Sequence, residues 1–65
     1  MSMIWTREGR GNYSPIITTI ARRYYRISRD YPTWIVEVSD NRTDWTVAST
    51  HGRQRDAKAW VSERA

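Results

Sequence analysis

An α+β fold is predicted: an antiparallel sheet of three to five strands in a meander, with one C-terminal helix packed on one face. Three observations lead there. Segments that alternate apolar and polar residues recur along the chain, as half-buried strands do. Short polar clusters at 30–33 and 39–44, one of them holding Pro32, separate these segments as turns. From about Arg53 the apolar spacing changes from two to three and four, the period of a helix.

Taken in order, Met3-Ile4-Trp5-Thr6-Arg7 alternates and suits a strand. The stretch Glu8-Gly9-Arg10-Gly11-Asn12 ends it with two glycines and an asparagine, a loop composition. Residues 13–23 carry two opposing signals. Ser14-Pro15 is a helix start, with a capping residue and proline at the first helical position. The five β-branched residues Ile16, Ile17, Thr18, Thr19 and Ile20 lose χ1 freedom in a helix and favour a strand, which is the preferred reading.

Residues 24–29 continue as a strand, with Tyr25 and Ile27 on one face and Tyr24, Arg26 and Ser28 on the other. Asp30-Tyr31-Pro32-Thr33 turns the chain, Pro32 fixing its φ near about −65°. Trp34, Val36 and Val38 then share a face, with Ile35 and Glu37 opposite. After the polar turn 39–44, Trp45 and Val47 are predicted to join Tyr25, Ile27, Trp34, Val36 and Val38 on the face that receives the helix. In the helix, Ala57, Trp60, Val61 and Arg64 sit at i, i+3, i+4 and i+7. Gly52 is the entry residue, and Asp56 in the first turn and Arg64 in the last complement the helix dipole.

At 65 residues the chain is one small domain, 1–65, with no room for separate cofactor and substrate domains. It holds no cysteine, which excludes disulfides, thiolate zinc sites and iron–sulfur clusters. Four Trp and four Tyr supply the bulk that a short chain needs to fill a core. Eleven Lys+Arg against seven Asp+Glu give a net charge of +4, which permits a polyanionic partner without demanding one. No run approaches the ~20 apolar residues of a membrane span, and residues 1–10 do not read as a secretory leader, so the expected compartment is the cytoplasm. The triplet Asn41-Arg42-Thr43 matches a glycosylation acceptor, which in that compartment is coincidence.

Little in the sequence points to catalysis. His51 is the single histidine, Gly9 and Gly11 form a lone G-x-G, and no spacing pairs a nucleophile with a base. No cofactor or metal is expected. Binding is the better fit. With the helix on one face, the other carries Tyr24, Arg26, Ser28, Thr33, Ile35, Glu37, Thr46 and Ala48, and Arg22 extends it. Double-stranded DNA is the first expected partner. Arg22 and Arg26 would contact phosphates, Tyr24 would pack on sugar, and Glu37 would accept from cytosine N4 in a major groove entered by the sheet. Arg53, with Arg55, would touch the backbone from the helix start. The alternative is a host protein or a second copy, bound through a sheet edge or the apolar segments 1–4 and Ile16–Ile20, as monomer or homodimer.

Two resemblances add to this. The steps Trp5-Thr6-Arg7, Gly11-Asn12-Tyr13, Tyr25-Arg26-Ile27, Trp34-Ile35-Val36, Trp45-Thr46-Val47 and Ala57-Lys58-Ala59 resemble small orphan proteins of actinobacteria and their phages. That resemblance spans nearly the whole chain and implies origin and fold more than activity, with the host cytoplasm as compartment for a phage product. Residues 25–60 are also similar in order to three-strand-plus-helix DNA-binding domains, of the ethylene-response type and the arm-binding type of phage recombinases. This chain has Ser49-Thr50-His51 where that family usually has Gly-Thr-Phe. The resemblance implies Arg26, Trp34 and Glu37 as base readers, whereas the alternation of residues 34–38 places Trp34 in the core.

Overall fold

The computed structural model describes residues 4–11 and 14–64. Among these residues five strands, β1 (Thr6–Arg7), β2 (Ile16–Ile20), β3 (Arg23–Asp30), β4 (Thr33–Ser39) and β5 (Thr46–His51), precede one helix, α1 (Gln54–Ser62). The strands form a single antiparallel sheet in the order β1-β2-β3-β4-β5, so each pairs with its neighbour in sequence. This is the meander expected when short turns join consecutive strands.

The β-branched run resolves as strand β2, and Ser14-Pro15 leads into it rather than into a helix. The reading of 13–23 as one strand is corrected. Tyr13 lies outside the described residues, and Ile20 pairs with Arg23 across a two-residue turn of Ala21 and Arg22. Both turn residues are left-handed, with φ of 49° and 68°. That is the backbone of a tight hairpin turn whose twist matches its strands, normally filled by Asn-Gly. Ala-Arg carries no such signature, which is why the turn is invisible in the sequence. Arg22 therefore stands at a hairpin tip, not on a sheet face.

The turn at 39–44 is held by two short side chains. Ser39 Oγ accepts from the backbone N–H groups of Asn41 (3.2 Å) and Arg42 (3.0 Å). Asn41 Oδ1 accepts from Thr43 N (2.8 Å) and Asp44 N (2.9 Å), the local capture of backbone donors that Asx residues favour.

Ile16, Tyr25, Ile27, Val36, Ala57 and Val61 form the buried cluster, with Trp5, Ile20, Trp34, Val38 and Trp60 packed against it. Ile27 lies opposite Val36, and Tyr25 opposite Val38, so one pleat surface of β3 and β4 is the core face. Ala57 and Val61, one helical turn apart, are fully inaccessible and belong to the same cluster. Trp34 is half-buried on this face, so the alternation of its strand located it correctly and the base-reading role implied by resemblance has no support here.

The placement of Trp45 and Val47 on the core face is also corrected. The β4–β5 register shifts between Val36 and Glu37: Val36 pairs with Ser49, but Glu37 pairs with Val47. One extra residue in β5 is a β-bulge, and a one-residue slip reverses which face every later side chain occupies. Ser49 and His51 therefore lie on the core face, where the His51 ring sits 6.4 Å from that of Trp60. Val47 and Trp45 lie on the opposite, outer face, and Val47 is 56% exposed. At the other end of the helix, Arg64 lies beyond α1 rather than in its last turn. It still serves the helix end, because Nη1 donates to the Trp60 carbonyl at 2.8 Å while the guanidinium stacks 3.3 Å from the Trp60 ring centroid.

Candidate functional site

The outer face is organised around Arg26. Register places it opposite Glu37 on β4 and Ile17 on β2. Its Nε donates to Glu37 Oε1 at 3.2 Å and its Nη2 reaches the same oxygen at 3.1 Å. Nη1 lies 3.8 Å from Glu8 Oε1, and the guanidinium plane covers the Trp45 ring at 4.2 Å. Ser28 Oγ also donates to Glu37 Oε1, at 3.2 Å. The Arg26 and Glu37 side chains are only 23% and 19% exposed. Two carboxylates face one guanidinium, so the centre of this face carries a formal net negative charge.

That arrangement bears directly on the residues expected to hold DNA. Tyr24, Arg26 and Glu37 do come together on the outer face, as the alternation implied. Arg26 spends its donors on carboxylates and its flat side on tryptophan, which leaves little for a phosphate. Tyr24 is half-buried, with the Arg42 guanidinium 5.7 Å from its ring. Arg22 and Arg53 are not part of this group. Arg22 tips the β2–β3 turn, and Arg53 precedes α1 at the far end of β5. The eight residues of β3, at about 3.3 Å each, set these ends roughly 25 Å apart.

Two features went unseen in the sequence. The first is a Ser–His contact: Ser49 Oγ lies 2.8 Å from His51 Nε2. Two residues apart on a strand, they share a face, so the spacing was there to be read. A working dyad also needs a group that orients the second ring nitrogen, and among the described residues no polar side chain bonds to it. Nor do the described residues gather three or more potential metal ligands. An open depression of about 470 Å³ lies elsewhere. It is lined by Arg23, Asp40, Asn41 and Asp44 beside Val38 and Thr46, and Arg23 and Asp40 close an ion pair across it at 3.3 Å.

The second feature is the difference between the sheet's edges. β1 is two residues long and is followed at once by Glu8. β5 is six residues long, pairs among the described residues on one side only, with β4, and contains no charged residue and no proline. Val47, Ala48 and Thr50 along it are exposed. Natural edges are usually short or guarded by charge, and this one retains only its bulge.

Comparison with protein-family models, with curated proteins and with solved structures gave no match for this chain. The two resemblances therefore rest on the residues quoted for them. No helix among the described residues is long and apolar enough to cross a membrane.

Proposed function

We propose that the chain is a non-enzymatic binding module, with α1 laid over the core face and a protein strand recruited along β5. The observation that supports this most is the β5 edge itself: six uncharged residues of strand, the exposed Val47 among them. Strand addition draws affinity from main-chain hydrogen bonds and specificity from alternate side chains, so it needs neither a pocket nor a charged site. The module acts in the cytoplasm, the host's cytoplasm for a phage product. The test is a titration with short extended Thr/Val-rich peptides, followed by backbone amide shifts and exchange. Protection confined to 46–51, at an affinity that salt does not change, is the expected result. Unchanged exchange along β5 for every peptide tried, and for the protein at high concentration, would refute it.

Double-stranded DNA is the second reading, favoured by one observation. Arg22, Arg53 and Arg55 are exposed and form no ion pair among the described residues. Phosphate contacts would then come from the ends of the sheet, not from Arg26 at its centre. A random duplex of roughly 20 base pairs, titrated at low and moderate salt, separates the two readings, because phosphate binding weakens steeply with salt. On the DNA reading Arg22→Ala and Arg53→Ala weaken binding and reduce its salt slope, whereas Arg26→Ala does so less.

A further inference from the structure

We infer that the strand received by β5 is β5 of a second copy, paired antiparallel about a two-fold axis to give one continuous ten-stranded sheet. This deepens the strand-recruitment reading and rests on it. Three observations single out a second copy.

The first is closure. Among the described residues the sheet has one long open edge and one two-residue edge that Glu8 borders. Joining β5 to the β1 edge of another copy would be head-to-tail, which gives a ring or an open filament rather than a closed pair, and the two residues of β1 offer almost no ladder for it. Joining β5 to β5 uses the long edge of both copies and stops at two.

The second is charge. β5 carries no charged residue, so self-pairing sets no like charges opposite one another within the strand. Just beyond it the charges are opposite in sign and symmetrically placed. Asp44 stands two residues before Thr46, and Arg53 two residues after His51. An antiparallel pair about a two-fold axis necessarily brings the leading end of one strand to the trailing end of the other. In the register that pairs Thr46 with His51, Asp44 of each copy, which accepts from Asn41 Nδ2 within its own chain, approaches Arg53 of the other at both ends. Arg53 is exposed, extended (φ −139°, ψ 147°) and free of ion pairs among the described residues.

The third is exposed apolar area. Val47 stands 56% exposed on the outer face beside the half-buried Trp45. A second copy would cover it with the matching residues of its own outer face. The bulge lies opposite Val36/Glu37, toward the Thr46 end, and leaves Ser49, Thr50 and His51 in regular register with β4. A domain of this size also stands to gain from added buried surface.

The experiment is sedimentation velocity on the full chain from about 1 μM to about 1 mM, with amide exchange along β5 read in parallel. A monomer–dimer equilibrium is expected, with β5 amides protected only in the dimer. Val47→Lys with Thr50→Lys places guards on the edge at two exposed positions; it should weaken the dimer by at least about tenfold while the melting curve at low concentration holds. Arg53→Asp alone and Asp44→Arg alone should each weaken it by about fivefold, and the two together should restore it. A dimer indifferent to the edge lysines, or charge-swapped variants that fail to rescue one another, would overturn the proposal. So would a monomer at every concentration. In that case, protection of β5 by an added peptide would retain strand recruitment with a different partner, and its absence would remove both readings.

Discussion

Ile27 and Val36 stand opposite each other on β3 and β4, and both are essentially inaccessible. One residue along each strand, Arg26 and Glu37 also stand opposite each other, and both are about one-fifth exposed. The same two strands thus hold two adjacent register pairs that face opposite ways. The core-face pair works by removing apolar area from water, about 1.5–3 kcal/mol for a side chain of this size, with no demand on direction. The outer-face pair works by geometry. Its hydrogen bonds, and the stack on Trp45, exist only while every partner is in place. An intact ion pair near a surface contributes roughly 0–1 kcal/mol, yet removing one member strands the other and costs more. A small domain can therefore close its second face with charged side chains, at the cost of making that face unsuited to an anion at its centre.

The largest break in this comparison is Ile27→Ala. It leaves a cavity in the buried cluster that Ile27 shares with Val36, Ala57 and Val61 and should cost about 2–5 kcal/mol. A chain of this size has roughly 3–10 kcal/mol of total stability, so thermal or urea denaturation should show a partly or wholly unfolded protein. A result under about 1 kcal/mol would mean the core closes in some other way.

The outer pair is tested by a cycle. Arg26→Met should destabilise by about 1–3 kcal/mol, because Glu37 and Glu8 lose their shared cation. Adding Glu37→Met should recover most of that loss, leaving the double variant within about 1 kcal/mol of the parent. Additive losses would instead show two independent contributions, and the contrast between the faces would vanish. The emission of Trp45 should shift in both variants as its guanidinium cover is removed, measured against a Trp45→Phe control.

The smallest expected effect is a gain. Replacing Ala21-Arg22 by Asn-Gly suits the left-handed turn and should add about 0.5–1 kcal/mol. It also removes the Arg22 charge, so Ala21→Asn alone serves as the charge-preserving control. A loss of stability from the pair would indicate that Arg22 holds the turn through its side chain.

Much of this architecture was legible in the residues themselves. The alternation of 34–38 sorted Trp34, Val36 and Val38 from Ile35 and Glu37. The spacing of Ala57 and Val61 located the buried side of α1. The cluster 39–44 announced its turn, since Ser and Asn capture backbone donors wherever they stand in such a loop. These are short-range matters, fixed by sterics and by periods of two and 3.6. The remainder depended on one strand meeting another. A single bulge in β5 reversed the faces of Trp45 and Val47, because a period of two has no memory across an inserted residue. Arg26 read as a free cation until register set Glu37 beside it and Trp45 beneath it. The open edge likewise exists only in the assembled sheet. Nothing in Thr-Val-Ala-Ser-Thr-His marks it as the last strand, and only the pairing order leaves one side of it without a neighbour among the described residues.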